Sequence, residues 1–185
     1  MNYVEPIKNK EDITRLVKWA FNYKKMYGVI FTLGFSSALR ISDILNLTVD
    51  DINNTNRINI HEQKTGKRKS FVLKENVAKL IRDWAKNCEH YLFVGKKGAK
   101  LDRSAVYRVM NRGCQELGIE ANIGTHTLRK SFSFHHYRQY KNIALLQKIL
   151  NHSAESITMK YVGILQEEID NSYLNLSLDL GLQTV

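Results

Sequence analysis

Proline, cysteine and long apolar runs are all scarce in this sequence of 185 residues. With Pro6 as the single proline and no glycine- and serine-rich stretch, no linker divides the chain, and one compact unit is expected. Two cysteines, Cys88 and Cys114, provide neither a disulfide framework nor a zinc site. The longest apolar stretch, residues 28–39, is too short to cross a bilayer, and the N-terminus has no features of a secretion signal. These absences predict a cytoplasmic protein without a membrane partner.

Negative charge is also in short supply, because 28 lysines and arginines outnumber 18 aspartates and glutamates and give a net charge of +10. The excess lies in residues 61–160, with 20 basic and 8 acidic residues, whereas residues 161–185 have four acids and no base. A solvated surface is the ordinary explanation of such an excess. A polyanion is the favoured partner, because lysines and arginines that neutralise phosphates release condensed counterions. Charge alone does not distinguish DNA, RNA and an anionic membrane.

The hydrophobic pattern predicts a mainly α protein with a small antiparallel β-sheet or hairpin, an α+β class. Two strands, 57–63 and 69–73, are expected around the basic turn KTGKR, and residues 91–94 are expected to form a buried strand. Helices are predicted around residues 13–21, 28–39, 41–47, 77–84, 106–117, 143–150 and 153–161.

Four residues provide the predicted helix boundaries. Asn9 and Asp102 are expected to cap helix N-termini, and Gly118 is expected to end the helix that follows Asp102. Thr125 is predicted to cap a further helix that begins at His126.

Arg40 ends the most apolar stretch of the chain, where a guanidinium is costly unless it meets a carboxylate or a phosphate. Asp43, three residues later, is a candidate to orient it, and a purely structural ion pair explains this pattern equally well. His126 and Arg129 share one face of the first turn of a helix, whose free amide groups also favour an anion.

Three further polar positions have ordinary explanations when each is considered separately. His152 lies at a turn, where a histidine commonly contacts solvent or backbone. Tyr161 is one of nine tyrosines, and a tyrosine is usually a packed ring with a wet hydroxyl. The tip of the predicted hairpin is basic and contains Lys64, Lys67, Arg68 and Lys69.

Together, the segments ALRISDILNL, KTGK, HTLRKSF and LNHSAESITMKY resemble the tyrosine recombinase (phage integrase) family over roughly residues 20–165. The order of the family's polar residues is kept, and Tyr161 follows His152 by nine residues, the spacing that the family uses. The resemblance implies the fold of the recombinase catalytic domain, with Asp43 in a supporting role. It implies a catalytic set of Arg40, Lys64, His126, Arg129, His152 and Tyr161. We also predict DNA contacts from Lys67, Arg68, Lys69 and Lys130.

Elementary chemistry explains why cleavage of a phosphodiester needs this set. The reaction requires a nucleophile, cations on the non-bridging oxygens and a proton for the departing alkoxide. Arginine forks match phosphate oxygens and remain charged, histidines donate hydrogen bonds or accept the tyrosine proton, and Lys64 can act as the general acid. The resemblance implies a covalent 3′-phosphotyrosine intermediate on Tyr161, with no cofactor and no metal.

The predicted function is therefore site-specific cleavage and rejoining of double-stranded DNA, in integration or excision of a mobile element. Dimer resolution, or relaxation of the kind that topoisomerases perform, is the enzymatic alternative. A non-catalytic DNA-binding module is the alternative from another class. A metal-dependent nuclease that uses Asp51, Glu62 and Lys64 is a weaker alternative, because the usual Pro-Asp is missing and the rest of the polar set is left unexplained.

The sequence departs from the family pattern in three places. Only 39 residues precede Arg40, too few for the family's N-terminal domain, so residues 1–185 are expected to form one catalytic domain. Asn151 replaces the usual glycine before His152 and is expected to tolerate a left-handed backbone. The apolar, acidic tail, residues 164–185, is expected either to pack on its own domain or, by resemblance, to dock on a neighbouring protomer. Accessory DNA-bending proteins in a bacterial or phage-host cytoplasm are further expected partners.

Overall fold

The computed structural model describes residues 4–52, 55–95, 98–162, 170 and 172–176. Within these residues, the chain forms eight helices and one two-stranded antiparallel sheet, which confirms the predicted fold class. The helices are α1 (Lys10–Tyr23), α2 (Lys25–Ser37), α3 (Ile41–Leu45), α4 (Glu75–Ala85), α5 (Arg103–Leu117), α6 (Thr127–Tyr140), α7 (Ile143–Leu150) and α8 (Glu155–Val162). The strands are β1 (Arg57–His61) and β2 (Arg68–Val72), and a single 3₁₀ turn spans Val49–Asp51.

The predicted helix boundaries are mostly confirmed. The Asn9 side chain accepts a hydrogen bond from the Glu11 backbone N–H at 2.8 Å, so it caps α1. Asp102 caps α5 in the same way, and Gly118 ends α5 with a φ of 64°. Asn151 ends α7 with a φ of 53°, so the left-handed conformation that was expected there is present.

The predicted start of α6 is wrong by one residue. His126, not Thr125, is the N-cap residue, and α6 begins at Thr127. The Thr127 hydroxyl accepts a hydrogen bond from the Gly124 N–H at 2.9 Å, which closes the turn before the helix. His126 therefore lies at the N-terminal end of α6.

The predicted strand at residues 91–94 is also wrong. Leu92 and Phe93 are buried as expected, but the segment forms only isolated bridges, from Thr48 to Tyr91 and from Val94 to Lys100. Four apolar residues indicate burial without indicating a backbone conformation, so this segment fills the core as a loop.

Helix α2 lies at the centre of the main core and packs against α1, α4 and α6. Its apolar residues Val29, Ile30, Phe31 and Leu33 are completely buried. Gly34 lets α6 approach closely, because a Cβ atom there would lie 2.6 Å from the Leu128 Cδ1 atom. This close contact fixes the end of α2, which leads to Arg40, against the helix that carries Arg129.

A second, smaller apolar cluster joins the C-terminal end of α2 to α7 and α8. It consists of Ala38, Leu146, Leu150 and Val162, with Phe132 and Ile149 packed against it. Because Val162 follows Tyr161 directly, this cluster positions Tyr161 relative to α2 and α6.

In the sheet, the pairing of β1 with β2 places Ile60 opposite Lys69 and Ile58 opposite Phe71. The longest described helix has 15 residues, and no described helix combines the length and hydropathy of a bilayer-crossing segment. Of the predicted tail, 164–185, only residues 170 and 172–176 are described, and the tail residues Ile164, Leu165, Ile169, Leu178 and Leu180 lie outside the described residues.

The contact of Gly34 with Leu128 leads to a stability prediction. Gly34→Ala should destabilise the protein by about 1–3 kcal/mol, because the added methyl group overlaps the buried Leu128 side chain. Ser36→Ala, on the same helix, is the control and should change the free energy of unfolding by no more than about 0.5 kcal/mol. Urea unfolding monitored by circular dichroism measures both changes. Equal stability of the two variants would contradict the close packing of α2 on α6.

Candidate active site

Arg40 lies between α2 and α3 and faces two carboxylates. Its Nη1 atom is 2.9 Å from Glu62 Oε1 and 3.8 Å from Asp43 Oδ2. Both acids are buried, whereas the Arg40 side chain is 14% exposed. Asp43 therefore lies beside Arg40 as the sequence predicted, but Glu62 is the closer partner.

The sequence offered Glu62 only as a residue of the nuclease alternative, and its pairing with Arg40 was not predicted. Burial would raise the pKa of Glu62, but a hydrogen bond from the Thr65 hydroxyl and the adjacent Arg40 charge outweigh burial and lower it. Glu62 is thus a carboxylate at neutral pH. Asp43 accepts a hydrogen bond from the backbone N–H of Gln63 at 3.0 Å. This bond attaches the start of the hairpin turn to α3.

Arg129 is as deeply buried as Glu62, with an exposed fraction of 1%. Its Nη1 atom donates to the Ala38 carbonyl at 2.8 Å, and its Nη2 atom donates to the Leu150 carbonyl. Nη2 also lies 3.3 Å from His152 Nε2, while Nε has no hydrogen-bonding partner among the described residues. Burial and the nearby Arg40 charge lower the pKa of Arg129 to about 10, so it remains a cation at neutral pH.

The contacts of His152 determine which of its ring nitrogens carries the hydrogen. Arginine has only donors, so His152 Nε2 accepts from Arg129. Nδ1 therefore carries the hydrogen and donates to the Thr158 hydroxyl at 3.0 Å. Burial, followed by the charge of Arg129, lowers the pKa of His152 to about 4. His152 is a neutral ring at physiological pH.

Tyr161, on α8, faces both histidines. Its hydroxyl oxygen lies 3.3 Å from His126 Nδ1, and its ring lies edge-on to His152 with the centroids 4.9 Å apart. Burial and the charge of Arg129 lower the pKa of His126, which favours a neutral ring with a nitrogen free to accept a hydrogen. The structure thus brings Arg40, His126, Arg129, His152 and Tyr161 into one site.

The predicted basic residues divide into two groups. Lys64, Lys67 and Arg68 are exposed on the hairpin, and the charge of Lys64 reaches His126. Lys69 is only 6% exposed and points inward from β2, and Lys130 is buried with its Nζ atom 2.7 Å from the Val4 carbonyl oxygen. This burial of Lys69 and Lys130 disfavours direct contact of either side chain with DNA. The roles of Lys67 and Arg68 in DNA binding stay predictions.

The residues of the nuclease alternative are engaged elsewhere. Asp51 Oδ2 accepts hydrogen bonds from the backbone and the hydroxyl of Thr48, and Glu62 pairs with Arg40. Within the described ranges, no three His, Cys, Asp or Glu side chains form a group suited to a metal ion. This geometry does not favour the nuclease.

Two arginines, two histidines and a tyrosine thus lie together on a helical scaffold, a set of groups that suits phosphoryl transfer. The sequence model of the phage integrase family matches residues 9–168. The chain therefore belongs to the phage integrase family, also called tyrosine recombinases, and the resemblance inferred from the motifs is confirmed.

Known proteins agree with this assignment. A probable integrase/recombinase, YoeC of Bacillus subtilis (strain 168), is 39% identical over 176 residues, which are 94% of this chain and 97% of YoeC. The crystal structure of XerA recombinase superposes with a TM-score of 0.76 at 21% identity, over 92% of this chain and 65% of XerA. The XerH site-specific recombinase bound to its difH substrate gives a TM-score of 0.72 at 20% identity, over 91% of this chain and 54% of XerH. At such identities, the two structures show the shared fold.

The buried, neutral state of His152 leads to a prediction about pH. Because the pKa of His152 is about 4 in the folded protein and about 6.5 in an unfolded chain, the unfolded chain takes up the proton first. The resulting stabilisation is complete above about pH 6.5 and is lost as the pH falls toward 4. His152→Asn removes this titration, so its melting temperature should fall less than that of the wild type between pH 7 and 4.5. An equal fall in melting temperature for the two proteins between pH 7 and 4.5 would show that His152 is not held neutral.

Proposed function

We propose that this protein cleaves and rejoins double-stranded DNA at specific sites through a covalent bond between Tyr161 and a 3′ phosphate. The observation that carries the proposal is the 3.3 Å contact of the Tyr161 hydroxyl with His126, next to the cations Arg129 and Arg40. These residues supply a nucleophile, a hydrogen acceptor and two phosphate-binding groups, and the reaction further needs a proton donor for the leaving oxygen.

In the first step, the Tyr161 oxygen forms a bond to phosphorus, and the bond from phosphorus to the 5′ oxygen breaks. His126 Nδ1 accepts the hydroxyl hydrogen, because a neutral ring offers a lone pair in this position. Arg40 and Arg129 stabilise the negative charge that develops on the non-bridging oxygens.

The 5′ oxygen leaves as an alkoxide and needs a proton. We assign this proton to Lys64, because it is exposed at the hairpin turn and its charge reaches His126 from the side of the site open to solvent. Rejoining is the reverse reaction, in which a 5′ hydroxyl attacks the phosphotyrosine and restores the Tyr161 hydroxyl. The phosphotyrosine bond stores the energy for rejoining, so neither a nucleotide cofactor nor a metal is needed.

The DNA partner is supported by the charge of the chain and by the solved relatives. XerH is a site-specific recombinase bound to its difH substrate, and this chain shares its fold. Lys67 and Arg68 lie exposed beside Lys64, where they can neutralise phosphates flanking the cleaved bond. We place the protein on DNA in the cytoplasm and treat residues 1–185 as one catalytic domain, with a core of residues 1–163.

Tyr161→Phe tests the chemistry. On nicked suicide duplexes with a chelator present, the variant should form no covalent protein–DNA adduct, because phenylalanine lacks the oxygen that attacks the phosphorus. Its affinity for the duplex should stay within about threefold, since phosphate contacts dominate affinity. Tyr107→Phe, an exposed tyrosine on α5, is the matched control and should form the adduct at the wild-type rate.

Other outcomes of the same assay identify the alternatives. An adduct formed by Tyr161→Phe would reject Tyr161 as the nucleophile. Cleavage that requires magnesium would support a nuclease, and binding without any adduct on the cognate site would support a DNA-binding module.

We also propose that the tail docks on a neighbouring protomer. Its described apolar residues Tyr173, Leu174 and Leu176 are 77%, 81% and 64% exposed, so they do not pack on the domain that carries them. A groove of about 790 Å³ lies between α6, α7 and β2, with Phe132, Tyr140, Leu145, Ile149 and Lys74 in its wall. An apolar tail with four acids and no base complements this groove.

Substitutions on the two surfaces test this contact. Leu174→Asp with Leu176→Asp, or Leu145→Asp in the groove, should reduce assembly on a two-site duplex by about tenfold or more, because each buries a charge in an apolar contact. Val94→Asp, at an exposed position away from the groove, is the control. Unchanged sedimentation of the tail variant on DNA would reject the docking.

Accessory DNA-bending proteins remain a prediction from the family resemblance.

A further inference from the structure

Lys69 is a buried lysine in the floor of the site. It belongs to β2 and pairs in register with Ile60, so its side chain points to the same inner face as Ile58 and Ile60. Its exposed fraction is 6%, and its Nζ atom has no hydrogen-bonding partner among the described residues. An ammonium group buried without a partner is costly, so its presence calls for a physical explanation.

The charges around Lys69 are those of the site itself. Arg129, Glu62, Arg40 and Asp43 all act on its ammonium group. Three cations therefore share two carboxylates, and Arg40 occupies Glu62 at 2.9 Å. Burial, followed by the charge of Arg129, lowers the pKa of Lys69 to about 8, so the group is mostly protonated at neutral pH.

This arrangement conflicts with the task of Arg40. An arginine that is bound to a carboxylate at 2.9 Å has part of its charge neutralised and is less able to bind a phosphate. When a phosphate binds Arg40, Glu62 loses part of its counterion. Lys69, a second buried cation whose charge already acts on Glu62, can compensate for that loss.

We propose that Lys69 is a positioning residue that becomes the counterion of Glu62 when Arg40 binds the scissile phosphate. The proposal rests on the strand-cleavage function proposed above. Phosphate brings the missing negative charge, so that three cations meet two carboxylates and one phosphodiester. Lys69 does not contact the DNA, which agrees with the burial of its Nζ atom. Its action is transmitted through Glu62 and Arg40.

A double-mutant cycle tests this role. Lys69→Met should slow adduct formation on the suicide duplex by about 10- to 100-fold, because Glu62 then retains Arg40. In a Glu62→Gln background, the same Lys69→Met change should slow it by less than about threefold, since no carboxylate remains to be compensated. Lys18→Met, an exposed lysine on α1, removes the same charge and should leave the rate unchanged.

Three results would overturn the proposal. Wild-type rates for Lys69→Met would show that Lys69 has no role, and equal losses in both backgrounds would show a role that does not pass through Glu62. A melting temperature of Lys69→Met well below that of the wild type would indicate a purely structural lysine. Removal of an unpartnered buried charge is expected to maintain or raise it.

A measurement without strand cleavage separates this proposal from the proposed function. Inorganic phosphate should raise the melting temperature of the wild type. The increase should be smaller for Lys69→Met and should equal that of the wild type for Lys18→Met. If the wild type forms no adduct but this difference is present, the cleavage function fails and the role of Lys69 stands. If adducts form and phosphate stabilises Lys69→Met as much as the wild type, the role of Lys69 fails alone.

Discussion

The buried guanidinium of Arg129 holds the site together. It bonds the Ala38 carbonyl at the end of α2 and the Leu150 carbonyl at the end of α7. Helix C-termini carry partial negative charge and unpaired carbonyl groups, so one cation stabilises two helix ends at once. Arg40 follows Ala38 by two residues, and His152 follows Leu150 by two. A single side chain therefore determines how far apart the groups of the site lie.

After burial, the same cation is the main influence on the protonation of its neighbours. His126 and His152 are both neutral because burial and the positive charge of Arg129 disfavour an additional proton. A neutral ring offers a lone pair, which His152 gives to Arg129 and His126 offers to the Tyr161 hydroxyl. The site thus combines two arginine cations with two neutral rings that accept hydrogens. This combination suits the binding of a phosphate and the removal of a proton from tyrosine.

The sequence predicted the parts of this arrangement that depend on local spacing. Helical periodicity located most of the helices, and the order of motifs identified Arg40, Arg129 and Tyr161 before any fold was known. The pairing of Glu62 with Arg40 was not predicted, because the two residues are 22 positions apart and meet only after the hairpin has folded back. The burial of Lys69 was not predicted, because a run of basic residues suggests an exposed turn, whereas the register with Ile60 turns this lysine inward. Long-range pairing, rather than composition, decided both cases.

The excess of buried cations has opposite effects on stability and on binding. In the free protein, Arg40, Lys69 and Arg129 repel one another, and an apolar residue in place of a buried charge is often neutral or stabilising. The two apolar clusters, centred on α2 and on Leu146 and Leu150, offset this cost. A bound phosphate makes the electrostatic energy of these cations favourable, because it neutralises the excess positive charge where little solvent screens the interaction. The free protein is therefore less stable than its apolar core alone would make it. The free energy lost to repulsion among the cations is recovered when the site binds a phosphodiester.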